Sequence, residues 1–318
     1  MADFKLFRIG PSAASEIPGK SAQVEKSLQT LFEANIETLL GVRFLATEFT
    51  TGKLHSGRID TLGLDENGCP VIIEYKRAVN ENVISQGLFY LDWLMDHRGD
   101  FEMLALKKLG QDTHVDWSAP RLVCVAADFT NYDQHAVRQI SRNIELMRYR
   151  HYGDDLLLLQ LVNASSAAPT GAAAPSTGMV ISASPTSNPT GPTATKDPYA
   201  SQEIGYRLAQ AEQPIKDLFE ALKAYLLALG DDVQFKQVKQ YFAFRRIKNF
   251  ACVEIYPQAA KVTVFLKVDP DSVEPIPGMT RDVRKIGHFG TGDLEVTLRT
   301  MSDFEQAHPL FVKSYEAS

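Results

Sequence analysis

The chain has 318 residues, 44% of them hydrophobic, and a formal charge of −6. That apolar content supplies the cores of about two domains and excludes a disordered protein, while the acidic balance excludes a uniformly basic nucleic-acid binder and leaves only local basic patches. Three scattered cysteines, Cys69, Cys124 and Cys252, show no CxxC or Cys/His spacing and so exclude a disulfide framework or a zinc site; no run reaches the roughly 20 apolar residues of a membrane span, so a cytoplasmic protein with no membrane partner is expected.

In chain order, residues 1–163 read as one domain. A helix is expected over 21–40, then strands near 42–49, 57–64 and 70–77. Helices follow over 81–97 and 99–109, then a strand at 121–127, a helix at 131–149 and a strand at 155–162. Alternating strands and helices predict an α/β sheet with helices on its faces. "RLVCVAADF" and "DLLLLQLV" are the continuous apolar runs of strands covered on both sides. Residues 164–198 are rich in Ala, Ser, Thr, Pro and Gly and read as a flexible linker. Residues 199–318 read as a second, smaller domain: helices over 201–229 and 234–243, strands over 250–256, 260–268 and 293–299, and a closing helix over 302–316.

The stretch "GRIDTLGLDENGCPVIIEYKR", 57–77, carries the chemistry. Asn67-Gly68 is a strong hairpin signal. Pairing the two strands around that turn sets residues whose numbers sum to about 134 opposite each other, and so places Asp60 beside Glu74. Alternate side chains of a strand share a face, which puts Lys76 on the same side as Glu74. Two adjacent carboxylates repel unless a cation intervenes, and Mg²⁺ is commonly held by one or two carboxylates with water and phosphate oxygens. The simpler alternative is a surface ion pair on a hairpin.

Asp60 followed by Glu74-Tyr75-Lys76 resembles the PD-(D/E)xK nuclease superfamily. Gln86 and Tyr90, four apart on a predicted helix, resemble the QxxxY element of its RecB-like branch. The resemblance covers residues 20–162. It implies an α/β, restriction-endonuclease-like αβββαβ core, joined here to a separate small α+β C-terminal domain. It further implies hydrolysis of DNA phosphodiester bonds with Mg²⁺ or Mn²⁺, in DNA repair or defence, with RNA and a homodimer left open. Asp60 and Glu74 would be the metal ligands, Lys76 the catalytic cation and Gln86 an orienting residue. The family's N-terminal helix contributes a glutamate. A helical projection places Glu25 within the apolar arc of Val24, Leu28, Leu31, Phe32, Ile36 and Leu39, with Glu33 and Glu37 on its flank, so Glu25 is the expected contributor.

Nucleic-acid contacts are expected from Arg58, Arg77 and Tyr90 around that hairpin. Arg138 and Arg142, on the predicted 131–149 helix with Arg148 and Arg150 beyond them, add a basic cluster. In the second half "FKQVKQYFAFRRIKNF" interleaves basic and aromatic residues, and "KIGHFGTGD" holds His288 in a glycine-rich loop that leads into a strand, which rules out a phosphate loop. This half resembles a small uncharacterised domain appended to nuclease-like proteins, with an unknown ligand or protein as its partner. A regulatory, non-cleaving protein on a nuclease fold is the alternative to the enzyme.

Overall fold

A computed structural model describes residues 4–22, 24–52, 57–76, 82–165 and 203–318. The N-terminal half opens with a hairpin, β1 (Leu6–Ile9) and β2 (Ala14–Ile17), and a short β3 (Gly19–Lys20). Next come α1 (Glu25–Ala34), α2 (Ile36–Leu40), β4 (Val42–Thr50), β5 (Arg58–Asp65) and β6 (Pro70–Lys76). They are followed by α3 (Asn82–Asp96), α4 (Arg98–Leu109), β7 (Arg121–Ala126), α5 (Asn131–Gln139), β8 (Asn143–Tyr152) and β9 (Leu156–Ser165). The seven-stranded sheet runs β3-β8-β7-β6-β5-β4, with β9 on the other side of β8. Strands β4, β5 and β6 form an antiparallel meander, while β6, β7 and β8 are parallel. The parallel strands require the crossovers through α3, α4 and α5 that the sequence supplies. From α1 to β7 the elements follow the αβββαβ order of the restriction-endonuclease-like core.

Both faces of the sheet are covered, which explains the unbroken apolar runs of β6 and β7. Leu28, Phe32, Ile36 and Leu40 of α1 and α2 pack on Val71, Ile73 and Tyr75. Leu91, Leu94, Phe101 and Val137 of α3, α4 and α5 pack on the opposite face with Ile72, Leu122 and Cys124.

The C-terminal half contains α6 (Ile204–Gln210), α7 (Gln213–Ala228), β10 (Gln234–Gln237), β11 (Phe242–Arg245), β12 (Asn249–Tyr256), β13 (Lys261–Leu266), β14 (Thr280–Asp282), β15 (Leu294–Leu298) and α8 (Met301–Glu316). Its antiparallel sheet runs β10-β11-β12-β13-β15-β14 and is covered on one face by α7 and α8. The α+β expectation is met in its layers and corrected in its parts. The expected helix over 234–243 is two strands, because Phe235, Phe242 and Phe244 stack as cross-strand neighbours facing α7. These aromatics are core, so the basic-aromatic run is no base-stacking platform. The helix expected over 201–229 is two, divided at Ala211-Glu212 before Pro214.

The helix expected over 131–149 stops at Gln139, and "NIELMRYRHY" is the ten-residue strand β8. Its alternate residues Ile144 and Leu146 face one core while Met147 and Tyr149 face the other. The arginine cluster therefore does not exist as a helix face. Arg138 stays on α5, Arg142 lies in the connection, and Arg148 on β8 pairs with Asp128 at 2.5 Å.

Most of the expected 164–198 linker lies outside the described residues, although Ala164 and Ser165 complete β9. The two halves pack directly on each other. Cys69 and Ala119 join Val238, Tyr241, Ala243, Cys252 and Phe265 in one apolar cluster. Beside it lies a buried charge network, in which Arg121 holds Asp65 at 3.2 Å and Glu145 at 2.6 Å, and Arg245 reaches Glu145 at 3.2 Å. Burial alone would raise the Glu145 carboxyl, but the two guanidiniums outweigh it and hold it below its ordinary value. The three cysteines are free and buried. Among the described residues no helix is long and apolar enough to cross a membrane.

Candidate active site

The β5–β6 ladder pairs Thr61 with Ile73, Leu62 with Ile72, Gly63 with Val71 and Leu64 with Pro70, the register that the Asn67-Gly68 turn dictates. Gly68 supplies the left-handed residue of that turn, with φ of 77°. One step beyond the ladder, side chains take over from backbone. The Asp60 N–H donates to Glu74 Oε1 at 3.2 Å, and the Tyr75 N–H donates to Asp60 Oδ2 at 3.0 Å. Each acid is thus fixed by the strand that carries the other. Lys76, at the end of β6, lies 3.5 Å from Glu25 Oε2 at the start of α1. The structure therefore gathers Asp60, Glu74, Lys76 and Glu25 in one place. Glu25 reaches it from an exposed position, with 49% of its side chain accessible, and not from the buried arc that the projection indicated.

Glu74 is fully buried, and its Oε2 has no hydrogen-bond partner among the described residues. Burial, with the charge of Asp60 added, pushes its carboxyl up to about 8. Burial also raises Asp60, against the pull of the Tyr75 amide and Lys76. An unsatisfied buried carboxylate oxygen costs free energy, and two carboxyls raised together fit a bound cation better than an empty acid pair. Among the described residues no cluster of three or more acids, histidines or cysteines forms a metal cage. A two-carboxylate site is the donor set Mg²⁺ accepts when water and phosphate oxygens complete its shell, so the residues fit that ion.

Gln86 and Tyr90 lie together behind β5. The Gln86 amide donates to the Tyr90 hydroxyl at 3.2 Å, and that hydroxyl accepts the Arg58 N–H at 3.1 Å. Gly57 makes room for this contact, since a Cβ there would lie 2.5 Å from the Tyr90 ring. Tyr90 is only 5% exposed, so the expected nucleic-acid contact is corrected: its hydroxyl anchors the strand that carries Asp60. Arg58 is at the site's rim and largely exposed. Arg77 lies outside the described residues, and Arg138 and Arg142 make no hydrogen bond or ion pair with the acid pair or Lys76.

Two residues that the sequence reading passed over support the site. Gln29 of α1 is 4% exposed, and its amide nitrogen lies 2.8 Å from the Asp60 carbonyl, 3.1 Å from Thr47 Oγ1 and 2.9 Å from Glu33 Oε1. Glu33 also accepts the Thr61 hydroxyl at 2.6 Å, so it braces β5 and does not join the acids. A glutamine between Leu28 and Phe32 on the buried side of a helix was the available signal. The second is Glu48, two residues from the end of β4. The ladder pairs Thr47 with Thr61 and Phe49 with Ile59, and Glu48, opposite Asp60 between them, has φ of 50°. Its Oε1 accepts Lys26 at 2.9 Å and its Oε2 accepts Arg58 at 2.5 Å. A left-handed backbone at a residue other than glycine costs on the order of 1–3 kcal/mol. An exposed ion pair returns about 0–1 kcal/mol, so the two pairs together roughly offset the strain at best. No signal in a single sequence marks such a kink.

Comparison with known proteins adds the following. Residues 206–318 match a family described as Domain of unknown function (DUF5655). An uncharacterized protein of Haemophilus influenzae is 28% identical over 309 residues, covering 95% of this chain and 96% of its own length. Two solved structures align over smaller parts: a repair endonuclease from Pyrococcus abyssi, 19% identical over 40% of this chain, and an EndoMS–double-stranded DNA complex, 20% identical over 42%. Both alignments have a TM-score of 0.29 and span 47% of the neighbour's own chain, so they carry no weight beside the site geometry.

Proposed function

We propose that the chain is a metal-dependent nuclease that hydrolyses DNA phosphodiester bonds at the Asp60–Glu74–Lys76 site. The observation that carries the reading is the buried Glu74 Oε2, without a hydrogen-bond partner among the described residues, beside a second raised carboxyl and two strand residues from a lysine. Asp60 and Glu74 would hold Mg²⁺ or Mn²⁺. Such an ion, when bound, lowers the pKa of its water and neutralises charge on the phosphate oxygens.

The chain's own residues do the rest. The Tyr75 amide holds the Asp60 carboxylate in the orientation that faces Glu74. Gln29 fixes the Asp60 backbone from the side of α1, and Tyr90 fixes Arg58, two residues earlier. Lys76 places a positive charge where negative charge grows on the phosphorus-bound oxygens, a stabilisation realised chiefly in the transition state. Glu25 keeps the Lys76 ammonium from turning away into solvent. Gln86 acts through Tyr90 and orders the β5 entrance.

Labelled single-stranded, duplex, mismatched and branched DNA, incubated with Mg²⁺, Mn²⁺ or EDTA, tests the reading. Cutting is expected only with metal. Lys76→Ala should lose roughly a hundredfold or more in single-turnover rate with DNA affinity retained. Asp60→Asn should lose both cutting and Mn²⁺ binding measured by calorimetry. Wild-type rates in both variants would remove this site from the reaction.

A further inference from the structure

Glu48 is a poor choice for its position by local criteria. It is one of two residues other than glycine with positive φ among the described residues. Its ion pairs only offset its backbone strain, and its charge raises the neighbouring Asp60 and Glu74. What the kink achieves is geometric. In a regular strand Glu48 would form a ladder pair with Asp60. Turned out of the ladder, its carboxylate instead gives one oxygen to each of two cations from different elements.

Those cations border the acid site. Lys26 follows Glu25, the partner of Lys76, and its ammonium also lies 3.1 Å from the Gln29 amide oxygen. Arg58 precedes Asp60 by two residues on β5, and Glu48, opposite Asp60, holds its guanidinium. Both side chains remain open to solvent, at 58% and 65%. We propose that Glu48 is a positioning residue, whose left-handed kink opposite Asp60 holds Lys26 and Arg58 as a cationic pair at the rim of the acid site, set to receive two phosphates of a bound DNA strand. The inference rests on the nuclease reading and goes further, because it assigns where the strand enters.

The test is DNA affinity over a salt series, by fluorescence anisotropy of the full chain with Ca²⁺ in place of Mg²⁺. Each phosphate contact contributes about one unit to the slope of log affinity against log salt. Lys26→Gln and Arg58→Gln should each flatten the slope by about one. Glu48→Gln removes an acid, so a bystander carboxylate would tighten binding. The positioning role demands the opposite, a loss of about fivefold at moderate salt with a slope flatter by about one. Glu48→Gly should show the same loss with a thermal midpoint at or above wild type, because glycine accepts the left-handed backbone at little cost. Binding by Glu48→Gln as tight as wild type or tighter at every salt would overturn the proposal, as would unchanged slopes for Lys26→Gln and Arg58→Gln. A wild type that never cuts, yet shows these slopes, would sink the nuclease reading and leave Glu48 in its role. A wild type that binds no DNA would overturn both.

Discussion

At the scale of single residues, Glu74 is strongly altered by its surroundings. Its carboxyl moves from 4.5 to about 8 in the folded, metal-free chain. Between those values the folded state holds a proton that the unfolded state has released. Stability must therefore fall as pH rises from about 4.5 to about 8 and level off above, since its slope with pH follows the difference in bound protons. The thermal midpoint of EDTA-treated protein is expected to trace that fall, and Glu74→Gln should flatten it by removing the titrating group. An equal pH dependence in both proteins would mean that Glu74 is not strained. The residues of the acid motif were legible because their types and spacing are chemistry written along one strand pair. Glu48 and Gln29 were not, since what singles them out is a backbone angle and a contact across elements. Tyr90 was found for a partly mistaken reason: helical spacing placed it with Gln86, but its phenol points inward to a backbone amide.

At the scale of elements, the hairpin of β5 and β6 was fully readable, down to its register, because an Asn-Gly turn permits few alternatives. The β8 strand was not, because "NIELMRYRHY" places apolar residues at spacings that suit both a helix and a strand. Its pairing with β7 and β9 decides the matter, which is tertiary context overriding a local pattern. The same override turned residues 234–237 and 242–245 into strands. Tight packing between β4 and β5 gives a test at this scale. A Cβ on Gly63 would lie 2.2 Å from Val42 Cγ1 and 2.9 Å from the Arg43 carbonyl oxygen, and backbone cannot step aside as a side-chain tip can. Gly63→Ala should cost about 1–3 kcal/mol, visible as a lower urea midpoint, and should slow cutting because β5 carries Asp60. An unchanged midpoint would show that the bulge at Phe44 to Ala46 absorbs the methyl group.

At the scale of the whole molecule, composition pointed to two units and missed that they are joined by a buried interface. Single-chain reading could not find it, because Arg121, Glu145 and Arg245 are ordinary strand residues until the fold brings them together. Glu145 lies between two guanidiniums, each almost wholly removed from solvent. Glu145→Ala would leave Arg245 without a carboxylate and Arg121 with Asp65 alone, and breaking a buried network on one side typically costs about 3–5 kcal/mol. The expected result is a lower thermal midpoint with the two halves losing their joint transition. A small loss with a single sharp transition would show that water enters to replace the carboxylate.

The turn of the β5–β6 hairpin lies in that interface. Asn67 Oδ1 accepts the Tyr241 hydroxyl at 2.8 Å and the Asn249 amide at 2.7 Å, while Glu66 accepts the Asn249 N–H at 2.8 Å and pairs with Lys267 at 2.5 Å. One ribbon is thus gripped by the C-terminal domain at its tip and carries Asp60 and Glu74 near its open end, about 17 Å away by strand rise. Those two strands are central in the seven-stranded sheet, paired with β4 and β7 on either side, so the contacts that fasten the two halves together also buttress the strands that carry the acids.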